Sequence, residues 1–196
     1  MRLFVALEIP EETRETLREL MRRLQRKFKA ARWVRPESMH LTLKFIGHVE
    51  VEKLPPIRRV LAGVRNAHPI DVEFRGMGFF PSPRRPRVLW VGVEATPNLA
   101  QLVSKMDAEL AELGIPSEKR AFSPHLTLAR FNPDEVRERG KPLPGLAQVV
   151  KEAETAKDKS FGSLRASEFH LFESKLKPSG AEYTRIETFP FVEPSS

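Results

Sequence analysis

The tetrapeptide His-Leu-Thr-Leu occurs twice, as His40-Leu41-Thr42-Leu43 and as His125-Leu126-Thr127-Leu128, and the residues around the two copies also correspond. Leu3-Phe4-Val5-Ala6-Leu7-Glu8-Ile9 aligns with Leu89-Trp90-Val91-Gly92-Val93-Glu94-Ala95, and a proline follows each run, Pro10 and Pro97. Internal self-similarity of this kind constrains the fold more than any single motif. The chain is two copies of one unit, over residues 1–80 and 86–190, within a single bilobal domain of 196 residues. Strands are free to exchange between the two lobes.

Each unit reads roughly β-α-β-α-β. The runs at residues 3–9 and 89–95 have strand composition. Leu17, Leu20, Met21, Leu24 and Phe28 recur at helical spacing, as do Leu99, Leu102, Met106, Leu110 and Leu113, which Gly114 and Pro116 end. Pro10 and Pro97 suit a first helical turn, where a missing N–H costs nothing, and Thr96 is placed as an N-cap. Further helices are expected around residues 54–64, opened by Pro55 and Pro56, and 146–153. Strands are expected at 70–74, 168–172 and 183–188, a helix or turn start at Asn132-Pro133-Asp134-Glu135, and loops at 140–145 and 177–180. The expected fold is α+β: a bilobal, pseudo-symmetric duplication, with two mostly antiparallel sheets facing a central cleft and helices on the outer faces.

As a strand, His-Leu-Thr-Leu puts His and Thr on one face and the two leucines on the other. The leucines enter the core. His40, Thr42, His125 and Thr127 then line one cleft. A phosphodiester between two histidines is open to acid–base cleavage: one imidazole takes a proton from the attacking oxygen and the other protonates the leaving oxygen. Threonine hydroxyls hold the non-bridging oxygens. Chance alone would give roughly 0.2 His-x-Thr patterns in a chain with 5 His and 8 Thr. A dedicated zinc site needs three or four His, Cys or carboxylate ligands, which one His per motif does not supply. Cysteine is absent, so a thiolate nucleophile and disulfides are excluded.

With these residues in hand, the chain resembles the two-histidine (2H) phosphoesterase superfamily and, within it, the RNA 2′,3′-cyclic phosphodiesterases, also called 2′-5′ RNA ligases. The resemblance rests on Arg2-Leu3-Phe4-Val5-Ala6, on His40-Leu41-Thr42-Leu43-Lys44-Phe45-Ile46-Gly47, and on Arg87-Val88-Leu89-Trp90. It continues through Phe122-Ser123-Pro124-His125-Leu126-Thr127-Leu128-Ala129-Arg130 to Pro178-Ser179-Gly180-Ala181-Glu182-Tyr183. It implies hydrolysis of a 2′,3′-cyclic phosphate at an RNA 3′ end, tRNA fragments included, to a 2′-phosphate, with no metal and no cofactor. His40 and His125 are then the acid–base pair, with His40 expected to protonate the leaving oxygen and His125 to assist water. Thr42, Thr127 and Arg130 are the phosphate binders. An RNA 5′-hydroxyl in place of water would give 2′-5′ ligation.

Arg130 falls on the wrong face of an unbroken strand, so it must lie past the strand end or beside a bulge. The same alternation assigns Phe45 to the core rather than to base stacking. Arg84, Arg85 and Arg87 read as a loop gripping the RNA backbone, and Tyr183 as a contact to base or phosphate. His48, His68 and His170 lie outside the repeat and are expected to be ordinary histidines. A net charge of +7 suits an anionic partner. The alternative to an enzyme is a module that binds RNA or a nucleotide without turnover; within the enzyme class, a small cyclic nucleotide or ADP-ribose cyclic phosphate is the alternative substrate. The apolar run at 3–7 is broken by Glu8, too early for a signal peptide, and no stretch is long enough to span a membrane. The expectation is therefore a cytoplasmic monomer. Seventeen prolines with only six Asn and Gln suggest a thermophilic source.

Overall fold

The computed structural model describes residues 1–64, 66, 68–132, 137–138, 141–142, 144–177 and 180–191. The elements run β1 (Arg2–Glu8), α1 (Glu11–Lys27), β2 (Arg32–Trp33), β3 (His40–His48), α2 (Leu54–Gly63), β4 (Ile70–Phe80), β5 (Val88–Ala95) and α3 (Asn98–Ala111). They continue through β6 (His125–Arg130), β7 (Arg137–Glu138), β8 (Lys141–Pro142), α4 (Pro144–Thr155), β9 (Ser160–Ala166), β10 (Glu168–Lys177) and β11 (Gly180–Pro190).

Two antiparallel sheets carry the architecture, in the orders β11-β10-β1-β3 and β2-β6-β5-β4-β9. Set side by side, β1 answers to β5, β3 to β6, β10 to β4 and β11 to β9. The pairing crosses the sequence repeat. β4 closes the first run of elements yet pairs with β5, and β10, near the end of the chain, pairs with β1. The two lobes are thus tied together by exchanged strands, and the fold is the expected α+β duplication.

The helices form because each carries one apolar stripe. In α1, Leu17, Leu20, Met21 and Leu24 are buried, Glu11 and Glu12 occupy the first turn, and Arg26 and Lys27 the last, all favourable to the helix dipole. α1 packs against β9 and α4, α4 against β4, and α3 against β3 and α2. The helices and the inner faces of both sheets share one core, which includes Leu41, Leu43, Leu126 and Leu128. The opposite face of the first sheet keeps its own small cluster of Phe4, Ala6 and Phe172, with Tyr183 against it.

Several local expectations change. The strand expected to end near Phe74 runs on to Phe80. Thr96 does not cap α3; its hydroxyl donates to the Asn98 side chain at 2.6 Å and accepts from the Asp71 N–H at 3.2 Å, joining the helix start to β4. β9 was not expected, because Gly162 and Ser163 interrupt its apolar pattern. Gly162 adopts φ +133°, and a Cβ there would stand 2.3 Å from Thr13 Oγ1. That close approach of α1 to the strand is what needs glycine. In the stretch expected as loop at 140–145, Lys141–Pro142 forms a strand and α4 begins at Pro144, the rest lying outside the described residues. Residues 133–136 and 178–179 also lie outside them.

Candidate active site

Both motif strands begin at their histidine. In β3, His40 and Thr42 are half-buried and Leu41 and Leu43 buried; in β6, His125 and Thr127 are half-buried and Leu126 and Leu128 buried. The alternation expected from the sequence is met twice. β3 and β6 touch across the junction of the sheets. Val34, just after β2, donates its N–H to the Leu128 carbonyl at 2.9 Å, so the chain leading into β3 is stitched onto β6.

The two imidazoles are held alike. His40 Nδ1 lies 2.9 Å from the Ser38 carbonyl, and His125 Nδ1 lies 2.8 Å from the Ser123 carbonyl. A carbonyl only accepts, so Nδ1 carries the proton in both rings. Nε2 is left as the nitrogen that exchanges a proton with a ligand.

The surroundings of the two rings differ. His40 stacks on Phe4 at 4.6 Å between centroids, and Tyr183 meets it edge-on at 5.0 Å. Burial among these rings pushes the His40 imidazole down to about 4, against the raising effect of its hydrogen bond to Ser38. His125 meets Phe80 edge-on at 5.1 Å. It borders a hollow of about 290 Å³ lined also by Arg75, Phe80, Trp90 and Gly92. Trp90 lies flat over Gly78, where a Cβ would come within 2.3 Å of the indole.

Each motif strand bulges just after its threonine. Ala6 pairs with Thr42 but Val5 with Lys44, skipping Leu43; Trp90 pairs with Thr127 but Leu89 with Ala129, skipping Leu128. A bulge adds one residue and reverses the alternation beyond it. This brings Arg130 to the face of His125 and Thr127, as the sequence required of a phosphate-binding arginine at that spacing. The same device overturns the assignment of Phe45 to the core. Phe45 pairs with Phe4 on the cleft face and is 61% exposed. Lys44 takes the inward position instead, 5% exposed, and binds the Asp107 carboxylate and the Pro116 carbonyl.

Arg84, Arg85 and Arg87 are exposed on the loop between β4 and β5, and Arg87 is next to Arg130: Arg130 pairs with Val88, and Phe131 donates its N–H to the Arg87 carbonyl. Tyr183 is brought to His40. His170 is more than an ordinary histidine in position, since it pairs with Ala6 on the cleft face, one strand from Thr42. It is buried and bonds Thr188 at 3.0 Å. No repeat marks it, so only strand register reveals it. His48 and His68 are exposed. Among the described residues, no three His, Asp or Glu side chains stand close enough to hold a metal.

Paired histidines and threonines on two equivalent strands, across a duplicated α+β fold, define a two-histidine phosphoesterase. The chain belongs to the RNA 2′,3′-cyclic phosphodiesterase family of that superfamily: the LigT-like phosphoesterase family model matches it twice, over residues 7–90 and 91–183. It is 34% identical over 190 residues to the RNA 2′,3′-cyclic phosphodiesterase of Methanothermobacter thermautotrophicus, covering 96% of this chain and 98% of that one. With its counterpart in Archaeoglobus fulgidus it is 33% identical, over 96% and 99%. Among solved structures, a Thermus thermophilus protein superposes with a TM-score of 0.78 at 32% identity, over the whole of both chains. Escherichia coli LigT in complex with 3′-AMP superposes with a TM-score of 0.74 at 26% identity, over 98% of each. No helix among the described residues is long and apolar enough to cross a membrane.

Proposed function

We propose that the protein hydrolyses the 2′,3′-cyclic phosphate at an RNA 3′ end to a 2′-phosphate, using only its own side chains. The observation that carries this is the matched pair of imidazoles, each fixed through Nδ1 to a backbone carbonyl and each with a threonine two residues on, on the same strand face. Water attacks phosphorus, the bond from phosphorus to the 3′ oxygen breaks, and the 3′ oxygen takes a proton. Thr42, Thr127 and Arg130 donate to the non-bridging oxygens as charge builds there.

At pH 7 an imidazole held near 4 is protonated in only about one molecule in 10³. A phosphate anion bound beside the ring raises that value, so the roles rest on the resemblance: His40 protonates the 3′ oxygen and His125 assists the attacking water. An RNA 5′-hydroxyl in the place of water would make a 2′-5′ bond by the same steps. Water, at its far higher concentration, favours hydrolysis. RNA as the substrate agrees with the +7 charge, with Arg87 beside Arg130 and with the exposed Arg84 and Arg85 on the same loop.

The test is an RNA oligomer ending in a 2′,3′-cyclic phosphate, incubated with the protein in EDTA at pH 6–8. Conversion to the 2′-phosphate is expected. A cyclic end that persists while the RNA is bound leaves a binding module and overturns the enzyme.

A further inference from the structure

The strand β2 is only two residues long, Arg32–Trp33, and lies at the edge of the second sheet against the end of β6. Arg32 pairs with Arg130, and Trp33 with Ala129. Ala129 is buried, and Trp33 packs against the core with its indole N–H donating to the Phe28 carbonyl at 3.2 Å. Arg32 therefore shares the other face with Arg130, which is the face of His125 and Thr127.

Two residues directly opposed on neighbouring strands have Cα atoms about 4.5–5.5 Å apart, and like charges placed so repel. Both arginines are exposed. Among the described residues neither has a carboxylate within ion-pair distance, whereas Arg18, Arg58, Arg75 and Arg165 each meet one. A charged edge strand discourages pairing with another chain, but such a guard has no need to face a second arginine. An anion beside the two guanidiniums turns the repulsion into attraction.

In the proposed function Arg130 serves the cyclic phosphate with Thr127. Arg32 stands one strand over, where a different anion meets it. A substrate that ends at its cyclic phosphate continues only through the 5′ oxygen of the terminal nucleotide, so the next anion along it is the phosphate on that 5′ carbon.

We infer that Arg32, opposed to Arg130, forms a second phosphate site, which takes the phosphate on the 5′ carbon of the terminal nucleotide. This rests on the proposed function and adds to it a group that the enzyme reads beyond the cyclic end.

The experiment compares kcat/KM on adenosine 2′,3′-cyclic phosphate carrying a 5′-phosphate with kcat/KM on the same compound without it. Base and cyclic phosphate are then constant. The wild type is expected to favour the 5′-phosphorylated substrate about 10-fold, the lower end of what a hydrogen bond to a charged group gives, because Arg32 is exposed to solvent and salt. Arg32→Ala is expected to lose most of that preference, mainly through KM. Arg32→Lys, which keeps the charge without the fork, is expected to keep part of it. A wild type with no preference overturns the site. A preference unchanged in Arg32→Ala also overturns it and leaves Arg32 as an edge guard. An equal loss on both substrates overturns it too, since Arg32 then acts on the cyclic phosphate. Turnover of neither substrate by the wild type overturns the proposed function instead. The site is then judged by binding of adenosine 2′,5′-bisphosphate against adenosine 2′-phosphate: tighter binding of the bisphosphate by the wild type, lost in Arg32→Ala, supports it, and the same ratio in both proteins overturns it.

Discussion

Phe4 lies against the imidazole of His40 with 4.6 Å between ring centroids and 29° between planes. Desolvation by this ring and its neighbours disfavours the charged form of His40. Replacing Phe4 by Ala admits water, and the His40 titration followed by NMR is expected to rise from about 4 toward the ordinary histidine value. A midpoint that stays put would mean that Phe4 is not the cause.

The same burial sets a pH dependence. With the folded His40 near 4 and the unfolded one near 6.5, the unfolded chain binds more protons in between. Stability is therefore expected to rise with pH from about 4 to 6.5, and to be lost as pH falls through that window. His170, also pushed down first by burial, acts in the same direction. Urea unfolding at pH 4.5, 5.5 and 6.5 measures it, and His40→Gln should flatten the slope.

Each of His40→Ala and His125→Ala is expected to lower kcat about 10²-fold or more. A substrate whose 3′ oxygen is replaced by sulfur tells the roles apart, because a thiolate leaves without a proton. It should restore much of the rate to His40→Ala and little to His125→Ala. The opposite pattern would give the acid role to His125.

Thr42→Val and Thr127→Val remove one donor each while keeping the side-chain shape. Hydrogen bonds to charged groups are worth about 1.5–3 kcal/mol, so kcat/KM should fall about 10- to 10²-fold in each. Arg130→Lys keeps the charge and loses the fork, and should be less damaging than Arg130→Ala. Unchanged kinetics in Arg130→Ala would show that the bulge does not bring its guanidinium to the phosphate.

Lys44 and Asp107 join β3 to α3 below the site. Burial opposes the Asp107 carboxylate, but hydrogen bonds from Lys44 and from the Glu118 N–H hold it below its usual range. Lys44 is buried and Asp107 half-buried; leaving a hydrogen-bonded buried charge without its partner costs about 1–3 kcal/mol, so Asp107→Ala should lower the unfolding free energy by about that much. The double replacement Lys44→Met with Asp107→Leu should recover most of it. If the double variant is no better than the single one, the isolated Lys44 charge is not the source of the loss.

The sequence by itself determined the duplication, the helices and the two His-x-Thr pairs. Apolar periodicity and a repeated His-x-Thr register need only local geometry, so they can be read along the chain. Three things waited for the tertiary structure. Strand exchange was one, because which strands β4 and β10 pair with depends on contacts far apart in sequence. The bulges at Leu43 and Leu128 were another, because alternation counted along one strand cannot reveal a register slip against its neighbour; hence Phe45 was assigned inward and Arg130 seemed out of place. Last came the difference between two histidines with identical flanks. Rings from β1, β10 and β11 gather around one of them, and a proton's free energy depends on that surrounding, not on the tetrapeptide.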